Sequence, residues 1–196
     1  MPQQFKPEAP QQIVEAFRLG LDNFVRNNAP GWEKLRNAGP LGLPIFTSTL
    51  EELAKGKLNN EPVGWRLLFG GQAANEAVEP TVADVATTGR HSHTTPQVVS
   101  FSQHDQVAEF FQHFEKILQM EQLIIAGMGF QLALLRIPGL TVDAFWLRSQ
   151  TVGNDIVVPI RGPANLERRQ YTVEEFVRTL QPLVKKFLAF DNKEMI

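Results

Sequence analysis

Apolar residues at the start of the chain recur at spacings of three and four. Between Gln11 and Asn27, Ile13, Val14, Phe17, Leu21, Phe24 and Val25 line one stripe, which predicts an amphipathic helix. The run Asn27-Asn28-Ala29-Pro30-Gly31 ends it. Trp32 to Ala38 reads as one short helical turn. Gly39-Pro40-Leu41-Gly42-Leu43-Pro44 reads as a loop, because Pro and Gly interrupt both helix and sheet. Two overlapping capping boxes, Ser48-x-x-Glu51 and Thr49-x-x-Glu52, open a short helix that stops near Lys55-Gly56.

From Gly64 the pattern changes. Trp65–Phe69, Thr81–Thr87 and Gln97–Phe101 are rich in β-branched and aromatic residues and predict strands. Ser102-x-x-Asp105 caps a helix running to about Met120, with Val107, Phe110, Phe111, Phe114, Ile117 and Leu118 on its apolar face. Three more strands follow, Phe130–Ile137, Leu140–Ser149 and Asp155–Ile160. Turns at Pro138-Gly139 and Gly153-Asn154 make them an antiparallel meander. Pro-Gly favours a type II turn, which suits a two-residue hairpin poorly, so the first connection is expected to be wider. Pro159 has no N–H for a ladder, so its strand is predicted at an edge. The last helix begins at Thr172, capped through Thr172-x-x-Glu175. It carries Val173, Phe176, Val177, Leu180, Val184 and Leu188, with Pro182 as a candidate kink.

Both halves therefore read strand–strand–strand–helix. Thr81-Val82-Ala83-Asp84-Val85 resembles Thr141-Val142-Asp143-Ala144-Phe145, and Val107-Ala108-Glu109-Phe110 resembles Val173-Glu174-Glu175-Phe176. A β-β-β-α pseudo-repeat is one reading; reuse of the same residue types by any amphipathic pattern is the other. The predicted fold class is α+β, an antiparallel sheet in two three-stranded segments with amphipathic helices packed on it. Residues 1–10 read as a flexible tail. Residues 11–196 read as a single domain: a helical part at 11–56 and β-β-β-α units at 64–120 and 129–190. The element order resembles, in layout alone, small secretion-chaperone-like α+β domains, and layout does not fix function.

Composition narrows the function classes. A hydrophobic content of 43% supports a packed core. A formal net charge of −2 argues against nucleic acid or an anionic membrane surface as a main partner. Zero cysteines exclude disulfides, thiol catalysis, iron–sulfur clusters and Cys-ligated zinc. The stretch from Leu123 to Leu135 is the longest apolar run and too short to span a bilayer, and the N-terminus has no signal-like apolar core. A soluble, cytoplasmic protein is the expectation.

The candidate chemistry is histidine. His91, His93, His104 and His113 include every histidine of the chain. Imidazole is the commonest neutral-pH proton carrier and a common metal ligand. In an extended segment, His91 and His93 project from one face and can hold one metal; a Gly/Ser/Thr-rich hairpin loop is the alternative. His104 and His113 lie on one predicted helix about 13 Å apart along its axis, too far to share a metal. His104, near the helix start, is the better third ligand, since that position favours neutral imidazole. His113 reads as a boundary residue.

Other motifs fall away. Gly127-Met128-Gly129 lacks the third glycine and the following helix of a dinucleotide fingerprint. No Gly-x-Ser-x-Gly, phosphate-binding loop or His-Glu-x-x-His is present. Asp143, in an otherwise apolar strand, calls for a partner. Arg136 is expected diagonally across from it as an ion pair, with a pKa-shifted acid or base as the alternative. Arg161, Arg168 and Arg169 flank a loop that also holds Glu167, so a solvated loop is expected there rather than an anion site. The strand Leu140–Leu147 is apolar on both faces, which raises a homodimer or protein partner covering one of them. Two functions remain. One is a non-catalytic binding or protein-interaction domain without a cofactor. The other is a metal-dependent or histidine-assisted, hydrolase-like enzyme using His91, His93 and His104 with a divalent transition metal.

Overall fold

The computed structural model describes residues 8–28, 34–35, 38–70, 79–87, 95–103, 105–124, 130–151 and 153–191. Its elements are α1 (Gln11–Asn28), β1 (Leu41–Thr47), α2 (Leu50–Ala54), β2 (Pro62–Phe69), β3 (Thr81–Ala86), β4 (Gln97–Ser102), α3 (Asp105–Ile124), β5 (Gln131–Ile137), β6 (Val142–Arg148), β7 (Ile156–Arg161), β8 (Tyr171–Thr172) and α4 (Val173–Asp191). The class is α+β. The chain divides into two compact units, Met1–Pro44 with Val63–Gly127, and Ile45–Pro62 with Met128–Ile196.

In the first unit β2, β3 and β4 form an antiparallel meander. Leu67 and Phe69 of β2 share one face with Ala83 and Val85 of β3, as period-two alternation requires. The α1 residues Ile13, Phe17 and Leu21, spaced by four, bury their stripe against that face. Phe17 stacks on Phe69 with ring centroids 4.6 Å apart. The pairing of β3 with β4 slips between Asp84 and Val85, which leaves Val99 as an extra residue on β4. Of the segment read as a helical turn at 32–38, Lys34 and Leu35 form a 3-10 turn.

In the second unit β5, β6, β7 and β8 are antiparallel neighbours in chain order. One face carries Phe46, Ala133, Leu135, Ile137, Val142, Ala144, Trp146 and Val157. It is sealed by Leu53 of α2 and by Phe176, Val177, Leu180 and Val184 of α4. The Thr172 hydroxyl accepts from the Glu175 N–H at 3.2 Å, the cap expected for α4, and the helix continues through Pro182.

Four expectations are corrected. Residues 41–44 are strand, not loop. Ala9 lies so close to Gly42 that any Cβ there would sit 2.5 Å from the Ala9 Cβ, and Glu8 bridges Leu41. The glycine read as a breaker is thus what lets two backbones approach. The sheet pairing is not purely antiparallel, because Ile45, Phe46 and Thr47 pair in parallel with Leu134, Leu135 and Arg136. Such a pair needs a long crossover, here everything between β1 and β5, so local pattern gives no sign of it. β7 is not an edge: β8 pairs with Ile156 and Val157 but stops short of Pro159, so the missing N–H faces no partner on that side. Of the two overlapping boxes only Thr49 caps α2, exchanging bonds with Glu52 at 3.2 and 2.8 Å. Ser48 is buried and accepts instead from the Asn59 N–H at 2.8 Å.

Candidate functional site

The alternation of β6 places Val142, Ala144, Trp146 and Arg148 on the face that α2 and α4 cover. The first three enter the core. Arg148 ends the row at its rim. Its guanidinium carbon lies 4.5 Å from the Phe46 ring centroid and 4.8 Å from that of Trp146. Those two rings meet edge to face, centroids 5.2 Å apart and planes at 72°, so they form two walls of a corner with the cation inside it. Asp155 fixes the Trp146 wall. Its carboxylate accepts from the indole Nε1 at 2.8 Å and from the Ser149 N–H at 2.8 Å. The Arg148 Nε is buried and has no hydrogen-bond partner among the described residues.

The other strand arginines differ in one respect. Arg66 of β2 forms a bidentate pair with Asp84 of β3, at 2.8 and 2.9 Å, and lies over the Phe110 ring at 5.1 Å. Arg136 of β5 and Arg161 of β7 flank Asp143 of β6, at 3.6 and 2.8 Å. Ile137 pairs with Val142, not Leu140, because residues 138–140 form a 3-10 turn and Thr141 adopts a left-handed conformation at φ 54°. Arg136 therefore stands directly opposite Asp143 rather than diagonally. In both units an arginine on the first meander strand faces an aspartate on the second.

His91, His93 and His104, the candidate metal ligands, lie outside the described residues, as does Gly127-Met128-Gly129. His113 is on α3, its Nε2 3.6 Å from the Glu109 carboxylate. Arg169 is held by Glu167 at 3.2 Å and Glu175 at 2.7 Å, and its guanidinium carbon lies 4.0 Å from the Tyr171 ring centroid. The Arg169 hydrogen bond lowers the Glu175 pKa below the ordinary carboxylate value.

Sequence reasoning passed over Arg148 and the Arg66–Asp84 pair. The signal for both was parity: Arg66 and Asp84 have Leu68, Val82 and Ala86 two positions away on their strands, and Arg148 follows Val142, Ala144 and Trp146 on an apolar row. No protein-family model, curated protein or solved structure matches this chain.

Proposed function

We propose that the chain is a non-catalytic binding or protein-interaction domain. The observation that carries this reading is the end of α4. Phe187 and Phe190, three residues apart on one helix face, are 47% and 59% exposed, where aromatic side chains are ordinarily buried. Exposed aromatic pairs of this kind are the anchors that partners cover. The carboxylates on and beside the strands support the reading from the other side. Asp84, Asp143 and Asp155 each meet an arginine or an indole N–H, the geometry of structural pairs. No helix among the described residues is long and apolar enough to cross a membrane.

Two measurements on untagged protein test the reading. Sedimentation velocity at rising micromolar concentration is expected to show self-association that the Phe187→Ser/Phe190→Ser variant loses, a second copy being the first partner to try. Elemental analysis is expected to show no stoichiometric metal, with melting unchanged in chelator. Stoichiometric zinc, iron or manganese that disappears in the His91→Ala/His93→Ala variant overturns the proposal in favour of a metal-dependent enzyme on His91, His93 and His104.

A further inference from the structure

The geometry points to Arg148 as the head of a binding site for a small oxyanion, a carboxylate or a phosphate. Among the described residues four arginines lie on strands, and three of them face an aspartate: Arg66, Arg136 and Arg161. Arg148 forms no such pair among the described residues, although a carboxylate is near in the chain. Asp155 orients a wall of the corner, through Trp146 and the Ser149 N–H, and forms no ion pair with Arg148 among the described residues. The guanidinium is held by two roughly perpendicular rings, which fix its plane before any ligand arrives. Its Nε is sealed and unpaired, an arrangement that costs stability. The residue as a whole is half-buried while its Nε is sealed, which leaves the Nη edge of the fork as the side the proposed ligand would meet. Two parallel N–H donors at that edge match two oxygens of a carboxylate or phosphate. Phe46 and Trp146 are almost fully buried, so the ligand meets the cation and not the ring faces. This site is independent of what covers Phe187 and Phe190.

The test is thermal unfolding of the full chain titrated with acetate, inorganic phosphate or chloride at constant ionic strength. Wild type is expected to rise in Tm with acetate or phosphate beyond chloride, and the two arms tell which oxyanion class fits. Arg148→Met keeps an apolar stem on the rings and removes the fork; it is expected to lose that increment while melting no lower than wild type without anion. Arg148→Lys keeps the charge without the fork and is expected to bind roughly tenfold more weakly, about one bidentate contact's worth. A second readout needs no variant stability: the Arg148 Nε–H resonance in a nitrogen-correlated NMR spectrum of wild type, assigned by its loss in Arg148→Lys, is expected to move on titration. An equal Tm increment in Arg148→Met, an Nε–H signal unmoved by both oxyanions, or a wild-type response no larger than chloride's overturns the site.

Discussion

Asp84→Asn should cost far more than its size suggests. The two bonds from Arg66 to Asp84, at 2.8 and 2.9 Å, use both carboxylate oxygens. The side chains are only 13% and 8% exposed. Asparagine keeps one acceptor, turns an NH2 towards the guanidinium and leaves the cation without a countercharge. Removing one partner of a buried pair costs about 3–5 kcal/mol; because this pair is not wholly sealed, about 3 kcal/mol is the working figure. With a urea m-value of about 2 kcal/mol/M, the midpoint falls by about 1.5 M. The assay is urea unfolding followed by tryptophan fluorescence, since Trp65 sits opposite Val85 in the same strand pair. The double variant Arg66→Met/Asp84→Leu fills the space without charge and is expected to recover most of the loss. Asp143→Asn is the internal control. Arg161 is 56% exposed and Arg136 29% exposed, so solvent screens that cluster and about 1 kcal/mol is expected. An Asp84→Asn midpoint within experimental error of wild type, or a double variant as unstable as the sum of its singles, would refute the reasoning.

Three further outcomes follow from particular contacts. In Gly20→Ala the new Cβ would lie 2.5 Å from Val98 Cγ2 and 2.9 Å from Val98 Cβ, a stiff β-branched neighbour. Alanine gains about 1 kcal/mol of helix propensity, but the overlap costs about 1–3 kcal/mol, so a net fall in Tm is expected, rescued by Val98→Ala. Thr49→Ala should lower stability by about 1 kcal/mol through the lost α2 cap, read by denaturant midpoint; no change would mean the box is not formed in solution. The Glu175 carboxyl should titrate by NMR below the ordinary carboxylate value, chiefly because of the Arg169 hydrogen bond, and return upward in Arg169→Gln. A depressed folded pKa makes its contribution present above the ordinary carboxylate range and lost as pH falls through it. An unchanged midpoint in Arg169→Gln would remove the bond as the cause.

What sequence reading missed was long-range, and what it found was local. The α1 stripe, the Thr172 cap and the three-strand meanders follow from side-chain period and from bonds closed within four residues, so they are legible in any window. Residues 41–44 failed that test because Gly42 serves a partner far along the chain, Ala9; a breaker and a close-approach site have the same letter. The register of β5 against β6 turned on whether the link at Pro138-Gly139 was two or four residues, and Thr141 in a left-handed conformation decided it. The apolarity of both β6 faces also admits a second explanation. Phe145 and Leu147, on the face away from α4, are 1% and 3% exposed within a single chain, so that strand gives no reason of its own to invoke another copy.

The candidate site shows the limit from the chemical side. Histidine clustering drew attention because four titratable rings in one segment are conspicuous in a list of letters. Arg148 is not conspicuous there, since it is one arginine among many. It becomes distinctive only when three distances are known together: two to aromatic rings, one of which, Phe46, arrives from a strand a hundred residues earlier, and one from Asp155 to the indole. Parity supplied half of this, because Val142, Ala144 and Trp146 put residue 148 on the buried row. The other half was unreadable, because whether a charge on that row is neutralised depends on strands that local periodicity cannot order. The same reasoning that gave Asp143 a partner, extended to every charged residue on an apolar strand row, singles out Asp84 and Arg148 alike; only tertiary pairing separates the one that is satisfied from the one that is left open.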